Sequence, residues 1–383
     1  MKKRIVIFTM GVFVLAVAGG IVYGITAANR KVQAEESMNI VREAFPESYD
    51  EDWNDKVSFH MSVNGHGLAS GQEFFETSAT LATYNQEKAK EVFQLDSELK
   101  PHIREDYNAL GEVEEFTSYV WDDYLLYLTP TTITYAKNDL WRYVRSPGTD
   151  PILRQAPSDG LAWGTRDEAW DILNESLLAV EMTDEPLYMS ACYALDKEKL
   201  ADAEQQWLLN GSLPGEELQT GSVGIDESEL KDAWTDSDEL YAFYFQQKNQ
   251  GIPLYGCPIV WGGPKNLECW QGEAFITKDG LNSLLLNMWV DFEESDSVEG
   301  KLLPFDSVID AAKDYSQKRT DSGMTEFYRA DLFLLPQKED NHFRIVPVWI
   351  LGYSEYLEDV DGYAYDNLVI NAISGELIDT NPA

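Results

Sequence analysis

The chain has 383 residues and carries 67 Asp and Glu against 29 Lys and Arg, a formal charge of −38. Charge of that sign and size repels nucleic acid and anionic lipid, so nucleic-acid binding is excluded as a role. Hydrophobic residues make up 44% of the chain and aromatic residues 12%, enough to bury a core, so intrinsic disorder is excluded too.

The N-terminus reads Met1-Lys2-Lys3-Arg4, and Ile5 to Ala28 then runs without a charge until Arg30-Lys31. A bilayer core needs ~20 apolar helical residues, so this segment is long enough to span. It is longer than a signal-peptide core of roughly 7–15 residues. Basic residues before the span predict an N-terminus inside and the remainder outside. The reading is a single-pass cell-membrane protein with an extracytoplasmic bulk. The competing reading is a cleaved signal peptide, with Val32-Gln33-Ala34 as the cleavage site and a secreted product ending its leader near Ala34. Beyond Lys31 there remain 24 basic and 67 acidic residues, a formal charge of −43. Gly20 and Gly24 have the small-residue spacing that lets two membrane helices approach closely.

The expected organisation is an anchor or signal segment over residues 1–34, a β-rich domain over 35–150, an α+β domain over 161–295 and a second α+β domain over 300–383. Residues 35–49 read as a short amphipathic stalk. "VSFHMSVNG" alternates, with Val57, Phe59, Met61 and Val63 on one face and Ser58, His60 and Ser62 on the other. A helix is predicted over Gln86–Leu95. Three short strands follow in "EFTSYVWDDYLLYLTPTTITYAKN", and a Pro/Gly-rich linker spans 146–160.

Thr165-Arg166-Asp167-Glu168 is a capping box, followed by a stripe of Ala169, Ile172, Leu173 and Leu177. A second helix from Asp196 carries Leu200, Ala203 and Trp207 at helical spacing. Strands are predicted in "ELYAFYFQQ", "GIPLYGCPIVW" and "EAFITKDGLNSLLLNMWV". Val308, Ala311, Ala312 and Tyr315 predict a helix over residues 306–319, and strands follow through "FYRADLFLLPQ" and "HFRIVPVWILGY". Pro253 in "GIPLY" and Pro347 in "IVPVW" hint at an internal repeat, against the alternative of two unrelated antiparallel layers.

The chain ends on "NLVINAISGELID", a strand, a turn at Ser374-Gly375 and a second strand. Gly375 permits positive φ, Asn371 and Ser374 can bond locally, and Ile370, Ile373, Leu377 and Ile378 are expected to bury. "RIVPVWIL" followed by "LVINAISGELI", with Ile370, Asn371, Ala372 and Gly375 and with Pro347 and Trp349 upstream, resembles the PepSY-type domain. It also resembles the C-terminal part of the YycH/YycI-type membrane-anchored regulators of Gram-positive sensor kinases. The resemblance covers the last ~80 residues and the anchor layout. It implies an α+β fold with an N-terminal transmembrane helix, a β-rich first domain, then one or two PepSY-like helix-on-antiparallel-sheet domains. It also implies a non-catalytic extracytoplasmic regulator whose partner is an envelope or membrane protein such as a sensor kinase. No functional residue carries over, because the matching positions are turn and core residues.

Chemistry is hard to find in the rest. Four histidines, His60, His66, His102 and His342, show no metal-type spacing and are expected to be exposed. Nothing marks a nucleophile motif. "DEDWND" lacks the Gly and Glu that an EF-hand loop needs after it. Asp359, Asp361 and Asp366 in "EDVDGYAYDN" could hold calcium; the plainer reading is a solvated acidic loop, and no cofactor is expected. Cys257 and Cys269 flank Gly262-Gly263-Pro264 symmetrically and could pair across a hairpin, which would leave Cys192 as a free thiol. Trp121, Trp163, Trp261, Trp270 and Trp289 serve either a core or a sugar-stacking platform. The reading is a membrane-anchored extracytoplasmic binding or regulatory protein that acts through protein–protein contacts and is not an enzyme. The alternatives are a glycan- or peptide-binding surface module and a hydrolase with an unrecognised carboxylate site.

Overall fold

The computed structural model describes residues 42–93, 95, 98–121, 124–137, 160–182, 187–210, 231, 233–256, 271–319, 323–357 and 362–379. The segment Ile5 to Ala28, the 146–159 linker, Cys257, Cys269, Asp359 and Asp361 lie outside them. No described helix is long and apolar enough to cross a membrane. The architecture is β-rich, with one large antiparallel sheet, one large mixed sheet and a few helices: α1 (Gln86–Val92), α2 (Arg166–Ala179), α3 (Lys197–Asn210) and α4 (Phe305–Lys318).

Two compact units form, each discontinuous in sequence. One gathers residues 42–76, 294–332 and 347–379; the other gathers 77–293 and 333–346. This partition differs from serial domains at 35–150, 161–295 and 300–383, and strand pairing is the reason. Ile133–Lys137 pairs with Gly280–Leu286, from Ile133 opposite Leu286 to Ala136 opposite Ser283. Val57–Asn64 pairs with Thr325–Glu339, and that ladder is parallel, so the antiparallel expectation for the closing sheet is corrected to a mixed one.

The larger unit is built on an eight-stranded antiparallel sheet. Its order is Tyr188–Leu195, Leu240–Gln246, Gly272–Thr277, Gly280–Leu286, Ile133–Lys137, Tyr124–Leu128, Val113–Trp121 and His102–Tyr107. α2 lies on one face. The Thr165 hydroxyl accepts from the Glu168 amide, and the Glu168 carboxylate accepts from the Thr165 amide at 2.8 Å, so the capping box is present. Ala169, Leu173 and Leu177 bury with Phe243, Phe245, Ala274, Ile276, Leu284 and Leu286, while Ile172 is half-buried. Each large side chain buried this way contributes ~1.5–3 kcal/mol. The other face packs Leu240, Ala242, Tyr244 and Phe275 against Leu195 and against Leu200 of α3.

In the smaller unit the neighbouring strands run Gly362–Asn371, the part of His342–Leu357 from Pro347, the part of Thr325–Glu339 up to Leu332, Val57–Asn64 and Ser48–Asp52. The alternation in Val57–Asn64 holds, with Val57, Phe59, Met61 and Val63 buried. Residues 43–44 and 48–52 are strands, so the stalk expectation fails where the chain is described; Tyr49 pairs with Met61 instead. α4 starts at Pro304 with no side-chain cap and is held by burial of Phe305, Val308, Ile309 and Ala312. Ala311 and Tyr315 are only half-buried, so the buried stripe is rotated from the expected one. Phe305 meets Trp349 edge-on at 5.1 Å and Tyr49 at 5.9 Å.

The closing turn forms. Asn371 Oδ1 accepts from the amides of Ile373 at 2.8 Å and Ser374 at 2.9 Å, and Gly375 has φ 73°. The strand after it is a single bridge, Leu377 to Ile370. Ile370 buries, but Leu377 is 42% exposed, because the tail runs along the sheet edge and not under it. The element orders differ: in the smaller unit three strands follow α4 directly, whereas in the larger unit α3 and two short strands interrupt the run from α2 to Gly272–Thr277. The prolines are not equivalent: Pro347 lies inside a long strand, whereas Pro253 ends a two-residue strand.

Candidate functional site

One face of the smaller unit's sheet is covered by α4; the opposite face buries Val348, Ile350 and Val369 and is open over Tyr328, Tyr363, Tyr365 and His60. On the covered face Phe59 stacks on Phe327 at 4.9 Å, and Tyr353 meets α4 through Tyr315, their hydroxyls 3.3 Å apart. The Arg319 guanidinium donates to Glu355 at 2.8 Å and to the Tyr353 hydroxyl at 3.2 Å, and it lies 5.5 Å and 5.7 Å from the Tyr315 and Tyr353 rings. Tyr353 donates to Asp366 at 3.2 Å, and burial pushes the Tyr353 phenol up. Asp366, one of the three candidate calcium ligands, therefore faces this cluster. Among the described residues no group of three His, Cys, Asp or Glu could hold a metal.

Side chains alternate across a strand, so residues next to these point away from α4. They are Tyr363 and Tyr365, which are 60% and 71% exposed, together with Tyr328 and Tyr356. Tyr328 and Tyr365 meet edge-on at 6.3 Å, and Tyr356 and Tyr363 at 5.3 Å. Further along the same face stand Glu326, then His60 between Asp50 at 2.5 Å and Asp52 at 3.2 Å. Hydrogen bonding to Asp50 holds the His60 imidazole above its ordinary value. Arg329 carries positive charge here, but it is tied to buried Asp331 at 2.5 Å.

The strand Gly362–Asn371 also presents an edge. The tail uses part of it: Ile378 N donates to Val369 O, and Asn371 N to Glu376 O, each at 2.9 Å. Main-chain groups two residues apart point the same way in an antiparallel ladder. Tyr365 and Tyr363 continue the row of Asn371 and Val369, and among the described residues no strand pairs there.

The larger unit has a different feature, a cavity of about 480 Å³ at the start of α2, lined by Arg166, Asp167, Ser190, Cys192 and Tyr241 among others. The Tyr241 hydroxyl accepts from Leu161 N at 2.9 Å and donates to Gly164 O at 2.8 Å, which pins the loop that leads into the helix. Burial pushes the Cys192 thiol up to about 12, so it is protonated at neutral pH and a poor nucleophile.

Other expectations resolve singly. His66 bonds the Leu332 carbonyl at 2.9 Å and is half-buried, which corrects its placement at the surface. Trp289 is buried, Trp163 packs edge-on against Tyr241 at 5.4 Å, and Trp121 stacks on Tyr124 at 5.1 Å. Trp261 and Trp270 lie outside the described residues. The exposed rings are tyrosines, which sequence reasoning passed over; the signal was the Tyr-Ala-Tyr alternation beside the acidic loop.

The chain matches no family model and no curated protein. The crystal structure of an uncharacterized protein from Eubacterium rectale aligns with 91% of this chain and 98% of its own length, at 15% identity and a TM-score of 0.59. That likeness is one of fold. The C-terminal domain of Bacillus megaterium YpeB aligns with 77% of this chain and 93% of its own length, at 8% identity and a TM-score of 0.30, below the level of a shared fold.

Proposed function

We propose that this chain is a membrane-anchored extracytoplasmic binding protein that regulates an envelope partner by contact and carries out no catalysis. The observation that carries the reading is the exposed tyrosine patch beside a strand edge on which, at Tyr363 and Tyr365, no described strand pairs. Exposed apolar rings gathered on one face are a feature of interaction sites. Tyrosine is enriched at protein interfaces because it offers a large rigid surface with a polar tip. The uncharged run Ile5 to Ala28 supports the anchor. The likeness of the closing residues to PepSY-type and YycH/YycI-type sequences supports the regulatory role. The test is protease treatment of intact cells, combined with photo-crosslinking from position 365 of the full chain. The expected result is a membrane-bound chain cut from outside and one discrete adduct. Recovery in the cytosol, or the absence of any adduct, overturns the proposal.

A further inference from the structure

We infer that Tyr363, Tyr365 and Tyr328, with the adjoining strand edge, receive an extended arginine- or lysine-bearing segment of a partner protein. This rests on the contact reading above and deepens it.

Three observations converge. The first is the edge. Tyr363 and Tyr365 continue the row of main-chain groups that Val369 and Asn371 already use to hold the chain's own tail. An added strand would extend that pairing, the mode in which main-chain bonds supply affinity and alternate side chains supply specificity. Among the other terminal strands, His102–Tyr107 reads "HIREDY" and is blunted by charge, as protected edges are. "YAYDN" is not blunted in this way over its first residues.

The second is charge. The exposed acids on this face, Glu326, Asp50 and Asp52, have His60 and the Asp331-bound Arg329 as their neighbouring cations. A chain of net charge −38 also attracts a cationic segment at long range.

The third is the covered face of the same sheet, which shows what such a grouping holds. There two tyrosines and a carboxylate, Tyr315, Tyr353 and Glu355, enclose the Arg319 guanidinium. The open face has the same ingredients in Tyr328, Tyr365 and Glu326. A cation over an aromatic face is attracted by the ring quadrupole, and guanidinium is the more frequent partner.

The test uses the full chain in detergent and a short peptide of alternating arginine and valine, with a glutamate–valine peptide as control. The expected result is binding of the arginine peptide only. Tyr363→Ala with Tyr365→Ala should weaken it roughly tenfold, and Tyr365→Phe should retain it because the ring is kept. Methylating alternate peptide amides should also abolish binding, since an added strand needs those donors. The proposal is overturned if both peptides bind equally, or if the alanine variants bind as well as the wild type, which would mark diffuse attraction to an acidic surface. It is overturned too if neutral oligosaccharides bind at these tyrosines in place of the peptide. Loss of peptide binding alongside a discrete adduct at position 365 would reject this occupant and leave the contact function standing. Peptide binding without any adduct would do the reverse.

Discussion

The two units each lay a helix on a sheet and differ in what they leave uncovered. In the larger unit both faces of the sheet bear packed apolar clusters, one under α2 and one under α3. In the smaller unit α4 covers one face, and the other buries Val348, Ile350 and Val369 but shows Tyr363, Tyr365 and Tyr328 to solvent. A helix laid on a sheet thus accompanies two packed faces in one case and a partly exposed second face in the other. The difference lies in which side-chain set points away from the helix, Tyr244 and Phe275 in one and Tyr363 and Tyr365 in the other.

The strongest way to break this comparison is to attack the helix that has no side-chain cap. Phe305→Ala removes a buried ring between Trp349 and Tyr49 and should cost ~3–5 kcal/mol. Tyr365→Ala on the open face should stay within ~0.5 kcal/mol of wild type. Urea unfolding followed by two probes checks both, because two units can unfold in separate steps.

Next comes the closed sheet. Glu273 sits between Tyr244 and Leu285 on central strands, and burial raises its carboxyl from 4.5 to about 7. Between these values the folded chain holds a proton that the unfolded chain has released. Its stabilising contribution is therefore full below pH 4.5, declines as pH rises and is gone above about 7. Glu273→Gln should match wild type in acid and exceed it above neutrality by up to about 3 kcal/mol. Equal stability curves at all pH values would show that the closed face does not trap this group.

Smaller effects sharpen the contrast in helix and turn chemistry. Gly375→Ala places a side chain at φ 73°, with its Cβ 3.3 Å from Leu303 Cδ1, and should cost about 1–2 kcal/mol in thermal unfolding. Thr165→Ala removes the cap of α2 and should cost ~1 kcal/mol. No equivalent side-chain cap exists at Pro304, so α4 depends on burial where α2 has both supports.

Local rules made much of this legible. The alternation of Val57–Asn64, the capping box at Thr165 and the turn at Asn371–Gly375 follow from period and local hydrogen bonding, and all three form. The assembly of the units was not legible. Val57 lies opposite Thr325, and Ile133 opposite Leu286, and nothing in a strand's own sequence names a partner so far along the chain. The open face was hidden for a related reason. Tyr-Ala-Tyr reads the same whether its rings point into a core or into water, and only the pairing of Asp366 with Tyr353 turns Tyr365 outward.

The central claim is that the Gly362–Asn371 edge of the smaller unit is the contact surface. Hydrogen–deuterium exchange of the full chain, with and without the arginine–valine peptide, tests it most directly. Slowed exchange should appear at Tyr363 and Tyr365 and spare the His102–Tyr107 edge. Protection at His102–Tyr107 instead, or no protection at either edge at saturating peptide, would contradict it.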